Sequence, residues 1–180
     1  MALFPLLPEL THVELQAAAL DGECYRLGEG FVPIGVPPTA ATRAAAVVGG
    51  RSPRLVVALG SAAWVWGADA RPPAVPEFLV DLRARWRPPL GERIHVVESV
   101  LREGDAVRLG GAAVTSPVRT AVDLARFRVE FGAEERELVR RLAALGGFGA
   151  SEALATMDRG RNLSGKRAAA SRLTAALSPS

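Results

Sequence analysis

The segment Val107 to Arg128 restricts the fold more than any other part of the chain. Two apolar runs, Ala106 to Leu109 and Ala112 to Thr115, are separated by Gly110-Gly111 alone. A two-residue connection of glycines, both free to take positive φ, is the signal of a tight hairpin. Thr115-Ser116-Pro117 follows at once. Serine suits the N-cap of a helix, and proline suits its first position, where the missing N–H would be unpaired anyway. Val118, Ala121, Val122, Leu124 and Ala125 then share one helical face. Asp123 can pair with Arg119 four residues before it or with Arg126 after it. A β-ribbon running straight into a capped helix implies a mixed α and β domain.

The flanking sequence extends this pattern. Thr11 with Glu14 forms a capping box for a helix to about Leu20. Cys24 to Leu27 and Phe31 to Ile34 surround a Gly-rich turn and predict a hairpin. Thr39 caps a helix over Ala40 to Val48, stopped by Gly49-Gly50. Leu55 to Leu59 is a short apolar run. Ser61 is placed to cap a short helix carrying Trp64 and Trp66, and Gly67 ends it. Phe78, Val80, Leu82, Ala84 and Trp86 alternate with Asp81, Arg83, Arg85 and Arg87, which predicts a strand over Glu77 to Arg87 with one face in water. A second strand is expected at Arg93 to Val97. Three further helices are expected at Glu134 to Leu145, Ser151 to Asp158 and Lys166 to Leu177.

Composition narrows the function. No apolar run reaches the roughly 20 residues of a membrane helix, and Met1 to Leu10 lacks the basic start of a secretory signal. One cysteine excludes a disulfide framework, and two histidines make a zinc site improbable. The cytoplasm is the expected location. The net charge of +3 is unevenly placed: residues 1–50 carry −3, residues 51–129 carry +4, residues 130–157 carry −2 and residues 158–180 carry +4. Nearly all the cations are arginine, Lys166 being the only lysine.

Catalytic constellations are missing. Cys24 has no base beside it and reads as a buried structural thiol. His95 falls on the opposite strand face from Ile94 and Val96. Gly28-Glu29-Gly30 lacks the third glycine of a dinucleotide loop. Glu134, Glu135 and Glu137 suit the positive start of a helix. The chain is therefore expected to be non-enzymatic and to need no cofactor or metal. Trp64 and Trp66 are expected to anchor a core. The helix start after Ser116 could hold an anion through free N–H groups.

Two segments, Ala62 to Gly67 and Gly104 to Arg126, resemble the motifs of actinobacterial AbiEi-like antitoxins of type IV toxin–antitoxin (abortive infection) systems: an "AAWVWG"-type stretch, then a "GDxVRLGGxxVTSPxRTAxDLAR"-type stretch. The resemblance implies an α+β chain with a short winged-helix-like module at 1–37. An antitoxin-like mixed α/β domain with a small antiparallel sheet and C-terminal helices would follow at 38–180. It further implies a transcriptional autoregulator that binds operator DNA and a nucleotidyltransferase-like toxin as partner. Thr11 to Leu20 would stand for the recognition helix and Tyr25 to Ile34 for the wing. Candidate DNA contacts are Thr11, His12, Gln16, Arg26, Arg43, Arg83, Arg85, Arg87 and Arg108, the later arginines forming a stripe with Arg93 if the strand alternation holds. Two alternatives stand beside this: a protein-interaction module that has lost DNA binding, and a degenerate nuclease with acids gathered around Lys166.

Overall fold

The computed structural model describes residues 10–28, 30–84, 86–160 and 165–178. Helix α1 (His12–Leu20) starts at Thr11, whose hydroxyl accepts the Glu14 amide while the Glu14 carboxylate takes the Thr11 amide, completing the capping box. Strands β1 (Cys24–Leu27) and β2 (Gly30–Pro33) form the expected antiparallel hairpin. Helix α2 (Ala40–Val48) is capped by Thr39 and ends at Gly49, φ 51°. Then come β3 (Val56–Val57), α3 (Leu59–Trp66), β4 (Glu77–Asp81), β5 (His95–Ser99), β6 (Ala106–Leu109) and β7 (Ala112–Thr115). Four helices follow: α4 (Pro117–Phe127), α5 (Ala133–Gly146), α6 (Ala150–Asp158) and α7 (Lys166–Leu177). The chain is α+β.

The larger sheet has five strands in the order β5-β4-β3-β7-β6. The pairs β3–β4 and β6–β7 are antiparallel, while β3–β7 and β4–β5 are parallel. Gly110 and Gly111 turn the β6–β7 ribbon with φ 55° and 88°, the conformation a two-residue hairpin loop demands. Val56 and Leu79 are Cα partners and face the core built by α4, α5, α6 and α7. Val57 and Phe78, the next pair, face the opposite core, shared with α2, Trp64, Val32 and Val114. The sheet is therefore covered on both faces. Parallel strands buried in this way carry near-continuous apolar runs, and Phe78, Leu79 and Val80 are such a run. No helix among the described residues is long and apolar enough to cross a membrane.

Four local expectations need correction. The strand expected over Glu77 to Arg87 stops at Asp81, because the Asp81 carboxylate accepts the Arg83 amide at 3.0 Å and its carbonyl accepts the Ala84 amide at 2.8 Å. A side chain that binds the backbone two residues on makes a turn. The half-exposed alternation fails with it: Glu77, Phe78, Leu79 and Val80 are all buried. The next strand starts at His95, not Arg93, and runs to Ser99. Ser61 does not cap α3. It lies inside the helix, and its hydroxyl accepts the Glu77 amide at 2.9 Å. The helix instead opens at Leu59, buried with φ 51°, a left-handed backbone that costs a leucine about 1–2 kcal/mol. Ser116 does hold the N-cap position of α4 with Pro117 at its first turn, but its hydroxyl makes no cap hydrogen bond.

Candidate functional site

The Gly104 to Arg126 segment folds into a buried ion cluster. Arg119, on the inner face of α4, donates from Nε to Asp123 Oδ2 at 2.8 Å, from Nη2 to Ser99 Oγ at 2.8 Å, and from Nη1 to the Val100 carbonyl at 3.2 Å and to Asp105 Oδ2. Asp105 also receives Arg159, the residue that caps the end of α6, and the Arg102 amide. Its carbonyl takes the Ser116 amide at 2.9 Å. One guanidinium thus ties the end of β5, the turn before β6 and α4 together, while Asp105 adds α6. The spacing of Arg119 and Asp123 foretold their pairing. Nothing local pointed to Asp105, Ser99 or Arg159, which are 14, 20 and, from Asp105, 54 residues away.

The second carboxylate of the cluster is strained electrostatically. Asp123 is fully buried, and its Oδ1 has no hydrogen-bond partner among the described residues. Arg126 lies 3.6 Å from that oxygen, beyond hydrogen-bond range, and stacks over Phe127 at 4.5 Å. Burial pushes the Asp123 carboxyl up from 3.8 to about 6, against the lowering pull of Arg119 and Arg126. Burial likewise lowers Arg126 from its ordinary value. A raised carboxyl binds its proton more tightly in the folded chain than in the unfolded one. The stability it contributes is complete below about pH 3.8 and is lost as pH rises through about 6. A shift of this size corresponds to about 3 kcal/mol. The difference in urea stability between the parent and Asp123→Asn, measured from pH 4 to pH 7, is expected to move by most of that amount, about 2 kcal/mol, the parent losing ground as pH rises. A flat difference would contradict the assignment.

A second cluster stands at the start of α3. Glu77, buried at the head of β4, takes both Nη atoms of Arg128, at 2.7 and 2.8 Å, and the Gly60 amide at 2.7 Å. A Cβ on Gly60 would sit 2.7 Å from Glu77 Oε2 and 2.8 Å from Arg128 Nη2, so this carboxylate is seated against bare backbone. The exposed His95 approaches it from β5 at 3.6 Å. An open cleft of about 570 Å³ adjoins, lined by Gly60, Arg71, Arg128, Glu130 and Glu134 among others. Residues 77 and 128 are 51 apart, and no spacing rule reaches that far.

The candidate DNA contacts are scattered. Thr11, His12 and Gln16 are exposed on or beside α1. Arg26 is exposed and donates to its own Gly28 carbonyl; Arg43 is half-buried, 5.9 Å over the Trp64 ring. Arg108 lies on β6, the edge strand farthest from β5, and donates to the Gly111 carbonyl. Arg83 and Arg87 are exposed in the crossover from β4 to β5, as is Arg93; Arg85 lies outside the described residues. With no strand beyond Asp81, the expected stripe through Arg108 is not built by alternation. Trp64 is buried, and Trp66 is half-buried with its indole N–H on the Thr115 carbonyl at 2.8 Å, so both anchor the core as expected. Cys24 is buried against the Leu15 carbonyl. Among the described residues no three His, Cys, Asp or Glu converge on a metal-sized site, and Lys166 pairs with Asp158 at 2.8 Å.

A family model for the AbiEi antitoxin C-terminal domain matches residues 55–175, from β3 almost to the end of α7. No individual curated protein matches the chain. The match takes in all three tryptophans, the Glu77–Arg128 pair and the whole Asp105–Arg119–Asp123 cluster, about two thirds of the sequence. On that span the chain belongs to the AbiEi antitoxin family.

Proposed function

We propose that this antitoxin is a non-enzymatic, cytoplasmic regulator that binds the operator DNA of its own operon, and that the β4–β5 crossover makes the main contact. The observation that carries this is the disposition of the arginines. Arg119, Arg128, Arg140, Arg141, Arg159 and Arg172 are spent on ion pairs or carbonyls within the fold. Arg83, Arg87 and Arg93 are exposed, and their guanidinium groups have no partner among the described residues. They flank the half-buried Trp86. Duplex DNA is held chiefly by neutralising phosphates, and α1 offers Glu14 and no cation.

In this reading residues 1–37 are a winged-helix-like module that adds base contacts through Thr11, His12, Gln16 and Arg26, while residues 38–180 carry the antitoxin domain, with Arg43, Arg85 and Arg108 as lesser contacts. A nucleotidyltransferase-like toxin is the proposed protein partner.

Anisotropy titrations with promoter DNA across a salt series test the assignment. Replacing Arg83, Arg87 and Arg93 together by alanine is expected to lower the slope of log K against log salt by about 3, near 0.9 for each phosphate no longer neutralised. An unchanged slope, with binding abolished instead in a Thr11, His12 and Gln16 triple variant, would move the DNA-binding surface to α1. No binding of the parent at low salt would leave the protein-interaction reading, which the exposed Val13 and Leu20 of α1 favour.

A further inference from the structure

The crossover from β4 to β5 joins two parallel strands, yet its described part carries neither helix nor strand over the 13 residues from Leu82 to Ile94. Such connections are usually helical, and irregular ones of this length are uncommon outside functional loops. Its start is pinned. The Leu82 amide donates to the Ser99 carbonyl at 3.2 Å, and the Ala84 carbonyl accepts Arg54 at 3.3 Å.

This pinned start borders an open cleft of about 540 Å³, lined by Leu82, Trp86, Arg87 and Glu98. The fold uses none of the polar groups on these side chains. The Trp86 indole N–H, the Arg87 guanidinium and the Glu98 carboxylate bond no described residue, and Arg87 and Glu98 form no ion pair with each other. Trp86 packs against the core that holds Phe78 and Trp64 but stays only half-buried. Leu82 is 49% exposed. An indole, an exposed leucine, a cation and an anion thus border one space, with Arg83 and Arg93 exposed on the same crossover.

We infer that this cleft receives one unpaired base of single-stranded DNA, cytosine in preference to thymine. The inference rests on the reading that Arg83, Arg87 and Arg93 hold DNA phosphates. The base lies on Trp86 and Leu82, since bases stack on aromatic side chains beside a basic track. Stacking alone is tolerant of sequence, and Glu98 supplies the preference. Its carboxylate accepts a hydrogen bond from the exocyclic amino group of cytosine, whereas the thymine carbonyl at the same place is repelled. As an anion Glu98 also turns phosphates away, so the base edge and not the backbone meets it, and the flanking phosphates fall to the arginines. A duplex keeps its bases paired and stacked and leaves the cleft unfilled.

Tryptophan fluorescence and anisotropy of the full chain with oligo-dC, oligo-dT and a duplex test this. Oligo-dC is expected to quench the parent and not Trp86→Phe, because Trp64 and Trp66 are core residues. Trp86→Phe keeps a ring and should bind oligo-dC nearly as tightly as the parent. Trp86→Leu fills much of the same space without a π face and is expected to weaken that binding by about 5- to 100-fold, the range of one base–aromatic stack. Its salt slope should not change, since stacking releases no counterion. Glu98→Ala is expected to bring oligo-dC and oligo-dT to equal affinity. Replacing Arg83, Arg87 and Arg93 together by alanine is expected to lower the single-strand salt slope by about 2, near 0.7 for each phosphate. No quenching by oligo-dC, equal quenching by the duplex, quenching that survives in Trp86→Phe, a Trp86→Leu variant that binds as tightly as the parent, or equal parent affinity for oligo-dC and oligo-dT would overturn the base site and leave the arginine reading standing. An unchanged salt slope in the triple variant, with Trp86-dependent quenching retained, would overturn the arginine reading and keep the base site.

Discussion

Arg119→Met is expected to remove about 3–5 kcal/mol of stability in urea unfolding at pH 7, the cost of leaving buried charges without their partner. Arg119 is itself buried and is the shared cation of Asp105 and Asp123, both buried. Methionine has a similar length, so packing is largely kept and the loss reports charge. Asp105 would retain Arg159, and Asp123 would retain only Arg126 at 3.6 Å. The loss should shrink as pH falls towards about 6, because without the lowering pull of Arg119 the Asp123 carboxyl takes up its proton at higher pH than in the parent. Adding Asp105→Asn and Asp123→Asn to Arg119→Met should recover part of the deficit, since an uncharged cluster has no ion to desolvate. Arg119→Lys would not restore it, because an ammonium cannot reproduce the fork that reaches Asp123, Ser99 and Val100 together. A loss under 1 kcal/mol for Arg119→Met would mean that the cluster is not what joins the ribbon to α4.

Trp64→Ala should cost a similar amount, about 3–5 kcal/mol, the range for deleting a large buried aromatic. Trp64 is 4% exposed and packs in the core that unites Val32 of the first hairpin, Ala44 and Val47 of α2, and Phe78 and Val114 of the sheet. Its Cη2 lies 3.4 Å from where a Cβ on Gly28 would be, so the hairpin turn sits directly on the indole. The Arg43 guanidinium lies over the ring, 5.9 Å from its centre. At this chain length about 4 kcal/mol corresponds to a fall of about 10 °C in melting temperature. Calorimetry on the full chain checks it, and a shift under 3 °C would show that the hairpin and α2 do not depend on this side chain.

The sequence was most informative where causes are local. The Thr11–Glu14 box, the Thr39 cap with Gly49, the Gly110-Gly111 turn and the bounds of α7 each depend on residues a few positions apart, and each is found in the fold. The over-long strand at Glu77 failed for an identifiable reason. Alternation continues past Asp81 as a pattern, but Asp81 makes a turn, and the consecutive Phe78 and Leu79 already belonged to a strand covered on both faces. The parallel pairings and the Glu77–Arg128 and Arg119–Asp105 contacts had no local trace, because they join segments far apart in sequence. The same division holds for the candidate site. Single arginines could be named from the sequence, whereas which of them are already occupied is decided only by tertiary structure.

The two-residue strand β3 has a consequence for how the chain is made. It is the middle strand of the sheet, and Val56 and Val57 pair on one side with Leu79 and Phe78 and on the other with Ala113 and Val114. So short a strand has almost no cohesion of its own, and its second partner is some 57 residues downstream. At roughly 5–20 residues per second of translation, its second edge waits roughly 3–11 seconds at the ribosome. For that interval, and until Arg119 arrives to neutralise Asp105, the nascent half-sheet exposes an unpaired edge. A freshly translated antitoxin of this design should therefore be most open to proteases and chaperones just before β7 is released, which limited proteolysis of stalled chains ending near residues 100 and 160 would reveal.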